Sequence, residues 1–345
     1  MEPCSEPAVP VNAGSSAGPE TSELKRKVEE EASPEMPPQK VQREFKRHEV
    51  HWIPEGNVLI DIGGVRFKLV RSRLASQSVW FKYFFDAQEN GIPDDPPEDF
   101  DTDEVQKVLA NSQYSDGLPL LFLDQDDDFP SHEEFAALLT AMDNAITYIF
   151  EWPPFPVLGK IFRAAKFYRC GSYETQVKRA ILDLYPDDPR RVEEHNKSFL
   201  VEAAKLAYKY PDDLNAILPS VFYQLTRVTY DGNREEAVES LTKDSLVLLL
   251  ILEKQLATHW GDIIEGLLVK CPSPRGKCAD HHQDIIVAAT QLRKSKLFDP
   301  IVAINNLLQK KDESWKLLCS PCNKAMMDNL NTMRTYIWAD VKAQI

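Results

Sequence analysis

Glycine is scarce, with 13 in 345 residues. Neither G-x-G-x-x-G nor G-x-x-x-x-G-K-[ST] occurs, and G-x-S-x-G and H-E-x-x-H are missing as well. Those patterns would serve nucleotide binding, a hydrolase serine or a zinc protease, so the sequence is read as non-catalytic. Long apolar runs are lacking too. The longest is Leu246 to Leu252, far short of the ~20 residues of a membrane-spanning helix. It reads as a buried helix with a central place in its domain. The first ten residues, MEPCSEPAVP, have no basic start followed by an apolar stretch, so no export signal is expected. The expected compartment is therefore the cytoplasm, the nucleus or both. There the six cysteines meet reducing conditions and serve as free thiols or metal ligands.

What is present belongs to an ordinary globular chain. Apolar residues make up 43% and charged residues 27%, enough for a real core. The length suggests about two domains. Acid exceeds base by 54 to 40, a net charge of −14, which disfavours nucleic acid as a partner.

Residues 1–48 are rich in Pro, Glu, Ser and Lys and poor in aromatics. They cannot bury enough apolar surface to offset the entropy of ordering, so they read as a disordered tail. An α+β domain follows over 49–186, and an all-helical domain over 187–345. Val58, Ile60 and Ile62, the Gly63-Gly64 pair, then Val65, Phe67 and Leu69 spell a hairpin. Ser78 caps a helix that carries Phe81, Phe84 and Phe85 on one face. Residues 88–117 read as a long acidic loop, and LPLLFLD (118–124) as a buried strand. Ser131 and Glu134 form a capping box, and the 3–4 spacing from Phe135 to Ile149 predicts one amphipathic helix. Further helices carry Leu158, Ile161, Phe162 and Ala165, then Val177, Ala180 and Ile181. In the second half the stripes are Phe199, Leu200, Ala203, Ala204 and Ala207, and Met326, Leu330, Met333 and Ile337.

GNVLIDIGGVRFKLVRSRLASQSVWFKYFF (56–85) resembles the start of a BTB/POZ domain, with Phe67, Arg71, Leu74, Ser78 and Phe81 at matching positions. FAALLTAMDNAITYI and VLGKIFRAAKFYRCGSYETQVKRAIL resemble its later helices. The resemblance covers roughly 55–185. AAKLAYKYPDDLNAILPSVFYQL (203–225) and WKLLCSPC (315–322) look like the tail of the BTB proteins of mushroom-forming fungi. Asn57 stands where the family usually has Asp, and Val70 where it usually has His. The resemblance implies a small sheet with flanking helices, followed here by the helical domain. It also implies a protein-binding scaffold or adaptor that self-associates as a homodimer, with Arg71, Leu74, Ala75 and Phe81 at or near the subunit contact; Leu74 and Phe81 fit the chain's own core equally well. Two alternative roles are a substrate adaptor of a cullin-type ubiquitin ligase and a chromatin-linked transcriptional regulator.

Two further groups carry chemistry. Cys319 and Cys322 have the C-x-x-C spacing of a zinc knuckle, since two thiolates on one tight turn reach adjacent corners of a tetrahedron. Cys271 and Cys278 form a looser pair across a segment containing Pro272, Pro274 and Gly276. Two readings stay open: inert thiols at helix ends, or a structural zinc, with His281 and His282 as spare ligands. Zinc is the only cofactor in view. Lys25, Arg26 and Lys27 are a candidate nuclear import signal. Glu29 to Glu31 follow at once, which equally fits a solvated charge run.

Overall fold

Strand β1 (Lys46–Trp52) leads into β2 (Val58–Ile62) and β3 (Val65–Leu69); β4 (Gln113–Ser115) and β5 (Leu118–Phe122) come later. The computed structural model describes residues 45–92, 102–123, 129–193, 198–230, 241–272, 278–309 and 313–345. All of them belong to one compact unit, Glu44–Ile345. The class is α+β: one five-stranded sheet, ordered β1-β3-β2-β5-β4, accompanied by helices.

The hairpin has a local cause. Gly63 and Gly64 take φ of 58° and 80°, a region that glycine enters without steric penalty. The Gly64 N–H donates to Asp61 Oδ1 at 3.1 Å, and the Arg66 guanidinium donates twice to Asp61 Oδ2, at 3.2 and 3.1 Å. Asp61 and Arg66 are both buried, so the pair satisfies two charges that would otherwise be costly to bury. β2 is central and buried along its whole length. It pairs antiparallel with β3 and parallel with β5.

Around the sheet come α1 (Arg71–Gln77), α2 (Val79–Asn90), α3 (Thr102–Asn111), α4 (His132–Asp143), α5 (Ala145–Phe150), α6 (Phe155–Phe167) and α7 (Gly171–Leu184). Ser78 caps α2 by accepting from the Phe81 N–H, and the Ser131–Glu134 capping box opens α4. Phe81, Phe84, Phe135 and Tyr168 form the centre of an aromatic core. The second half holds α8 (Leu200–Lys209), α9 (Pro211–Leu214), α10 (Leu218–Tyr230), α11 (Lys243–Gly266), α12 (Ala279–Ser295), α13 (Pro300–Gln309), α14 (Glu313–Leu317) and α15 (Ser320–Gln344). Its described residues contain no strand.

Packing continues across Pro186. Asp213, in α9, accepts from Lys166 of α6 at 2.6 Å and Lys178 of α7 at 2.9 Å. The Trp338 indole N–H donates to Asp187 at 2.8 Å.

Four readings from sequence need correction. The tail was expected to run to 48, yet β1 begins at Lys46. Its sequence, KRHEVHW, has no alternating apolar face; it is held by pairing with β3 and by His48 stacking on Phe67 at 4.7 Å. The acidic loop expected over 88–117 contains the end of α2, all of α3 and β4. Val105 and Val108, one turn apart, anchor α3 in the core, and Asp103 and Glu104 suit its positive N-terminal end. The helix expected to reach Ile149 breaks at Asn144, whose side-chain amide donates to the Thr140 carbonyl, and Ile146 is exposed. The Leu246–Leu252 run is not central. A helix packed by one face turns Leu249, Leu252 and Leu256 inward and leaves Val247, Leu250 and Ile251 about half exposed.

The attachment of β1 responds to pH. His48 Nδ1 accepts from the His51 N–H at 3.1 Å, and His51 Nε2 lies 3.2 Å from the Ala136 carbonyl and 3.1 Å from the Thr140 hydroxyl. Burial holds both imidazoles below the usual histidine range. The neighbouring His51 and His132 add to this at His48, while the Asp143 carboxylate opposes it at His51. Below about pH 6.5 the unfolded chain then binds more protons than the folded one, so stability falls as the pH drops. We expect the thermal midpoint to decline from about pH 7 to about pH 5. A His48→Asn/His51→Asn variant should flatten that limb; an equally steep limb in the variant would assign it to other groups.

Candidate metal centre

Three chain segments bring four cysteines together. α11 ends at Gly266, and the chain reaches Cys271 five residues later. Cys278 is the N-cap residue of α12. α14 and the buried Trp315 deliver the chain to Cys319, the N-cap of α15, in extended backbone with φ −65° and ψ 151°. Pro321 sits in the first turn of α15, where its missing N–H costs no helical bond. Cys322 follows on the inward side of that turn and is fully buried.

The four Sγ atoms lie within 4.8 Å of one another. Cys271 and Cys319 are 3.9 Å apart at sulfur, well beyond a disulfide bond of about 2.05 Å. A tetrahedral tetrathiolate with zinc–sulfur bonds of about 2.3 Å has sulfur–sulfur edges of about 3.8 Å. The cluster therefore needs only a small contraction to hold such an ion. Cys278 and Cys322 are buried, whereas Cys271 and Cys319 are half-buried, which leaves a path for an ion to enter.

The surroundings pull the thiols in opposite directions. The Cys319 N–H donates to Cys278 Sγ at 3.2 Å. The backbone N–H of Cys322, assisted by its thiol, holds the Cys319 thiol below its usual range. At Cys278 the Cys319 N–H pulls downward, but burial and the Cys319 and Cys271 sulfurs outweigh it and leave the thiol raised. Burial, with the same two neighbours, pushes Cys322 far up. Four crowded thiols thus resist ionising together when no cation compensates them. The N-termini of α12 and α15 both open at the cluster and contribute partial positive charge. Neither His281 nor His282 joins the group.

The expected subunit-contact residues fall elsewhere and divide. Leu74 and Phe81 are only 2% and 1% exposed; they fill the chain's own core, the second of the two readings open to them. Arg71 and Ala75 remain at the surface of α1. The Arg71 guanidinium donates to the Phe85 carbonyl at 2.8 Å and pairs with Glu89 at 3.0 Å. Asn57 accepts from the Arg71 N–H at 2.7 Å and so tethers the start of α1. Lys25, Arg26 and Lys27 lie outside the described residues.

The sequence offered the four cysteines either as thiols at helix ends or as zinc ligands, and the structure places Cys278 and Cys319 as helix N-caps within one cluster. Pro321, two positions after Cys319, was the available signal for α15. Nothing local announces Cys278 as a cap. No protein-family model matches the chain, and no curated protein and no solved structure is significantly similar to it. The described residues contain no helix long and apolar enough to cross a membrane.

Proposed function

We propose that this chain is a non-catalytic protein-interaction scaffold of the BTB/POZ type, working in the cytoplasm or nucleus. In this reading its α+β part pairs with a second copy and its helical part presents a surface to other proteins. The observation that carries the reading is the succession of elements over 58–184. A β2–β3 hairpin is followed by α1 and α2, then by β5 returning parallel beside β2, then by α4, α6 and α7. With α3, β4 and α5 interposed, these elements include the hairpin, the small sheet and the flanking helices that the resemblance implies. With Leu74 and Phe81 inside, the contact falls to the outward side of α1 and the start of α2, where Arg71 and Ala75 are accessible and Val79 is 48% exposed. Two copies related by a two-fold axis would bury the same patch on each side.

Light scattering on the full chain at micromolar concentration tests the reading. The expected mass is twice that of the chain, and Ala75→Arg should shift it toward the monomer while the far-ultraviolet circular dichroism stays that of a folded chain and the midpoint loses its dependence on concentration. A clean monomer from the unaltered chain would overturn self-association.

A further inference from the structure

We propose that Cys271, Cys278, Cys319 and Cys322 together bind one Zn2+ ion as a closed tetrathiolate site that fastens α11, α12 and α15 to one another. The proposal is independent of the BTB/POZ reading. It rests on the convergence of four sulfurs within 4.8 Å from three separate segments. The Cys319 N–H directed at Cys278 Sγ and two helix N-termini opening on the sulfurs support it.

Ligand softness narrows the choice of ion. An all-thiolate tetrahedral set suits zinc or iron and suits magnesium, calcium and manganese poorly. Zinc has no redox chemistry and no geometric preference of its own, and four protein ligands leave no open position for substrate, which marks a structural site. The reaction balances without an oxidant. Four S–H groups release four protons to solvent, four Zn–S bonds form, and the resulting unit carries a net charge of −2. The Cys319 N–H and the N-termini of α12 and α15 face that charge.

The consequence is mechanical. Cys271 follows the last turn of α11, Cys278 opens α12 and Cys319 opens α15. One ion would therefore fix the ends of three helices at one point of the buried core, where Cys278 and Cys322 are members of it and Cys271 and Cys319 pack against it. Such a site forms only in the folded chain, so its binding free energy adds to folding. Its loss should loosen residues 241–345 first and leave the sheet intact.

The test uses the full chain. Elemental analysis of protein purified without added metal should give one zinc per chain, and Cys170→Ser, whose sulfur is buried away from the cluster, should retain it. Cys271→Ser and Cys322→Ser should each lose it. Should either variant fail to fold, the unaltered chain stripped by a chelator under reducing conditions provides the second reading. It should take up one Co2+ with the visible and thiolate charge-transfer bands of a tetrahedral tetrathiolate, and Zn2+ should displace it. Hydrogen exchange should be faster in the stripped protein across 241–345 and unchanged across 58–69. Three results would overturn the proposal: a folded, metal-free chain whose stripped form takes up neither Co2+ nor Zn2+; stoichiometric iron in place of zinc; or a disulfide joining two of the four cysteines in freshly purified, reduced protein. A monomeric mass alongside one bound zinc would defeat the self-association reading alone.

Discussion

Replacing Asp299 by alanine is expected to lower the unfolding free energy by about 3–5 kcal/mol. Asp299 lies just ahead of α13 and is buried, as is Arg227 on α10; the guanidinium Nε is 3.2 Å from Asp299 Oδ2. The fully buried Tyr223 donates its hydroxyl to Asp299 Oδ1 at 2.7 Å and accepts from the Ile301 N–H at 3.0 Å. One carboxylate therefore satisfies a cation and a phenol and helps hold α13 against α10. Alanine would remove the counter-charge of Arg227 where water cannot replace it, which is why breaking a buried pair costs more than the pair contributes. Tyr223→Phe should cost less, about 1–3 kcal/mol, because no charge is stranded. Urea unfolding of the two variants and of the double variant measures the coupling. Additive losses would show that Asp299 and Tyr223 are not coupled.

Phe81→Ala is expected to cost about 3–5 kcal/mol, the usual range for emptying a buried aromatic site. Its ring stacks on Tyr168 at 5.0 Å and meets Trp80 edge-on at 5.0 Å. The same substitution separates two roles. A core residue lowers stability equally at all protein concentrations, whereas a contact residue shifts the mass and makes the midpoint depend on concentration. With Phe81 1% exposed, the first outcome is expected. A changed mass with unchanged stability would return Phe81 to the subunit contact.

Elements with a local cause were legible in the sequence. The Gly63-Gly64 turn, the Ser78 cap and the Ser131–Glu134 capping box depend on a few adjacent residues, and each forms where the sequence placed it. The strand expected at 118–124 is present as β5. Elements held by distant partners were not legible. β1 has no periodic apolar face and exists because β3, Phe67 and Ala136 receive it. α3 lies in a stretch whose prolines and carboxylates argued for a loop, and two buried valines hold it. The apolar run of α11 showed the opposite failure: hydrophobicity summed along the chain implied burial all round, while a single packed face uses only part of the circumference.

The candidate metal site divides along the same line. By itself the sequence determined which cysteines were available and that one pair had a turn spacing suited to a tetrahedral ion. It also determined the hairpin and the helix starts that carry their own caps, because turn and cap chemistry act over three or four residues. Only the tertiary structure decided that Cys271 and Cys278 meet Cys319 and Cys322, some 40 to 50 residues away in the chain. Only it decided that Leu74 and Phe81 are buried while Arg71 and Ala75 are half-exposed. The reason is physical: side-chain period specifies that a helix has an apolar face, but which neighbour covers that face depends on packing among elements that are not adjacent in sequence.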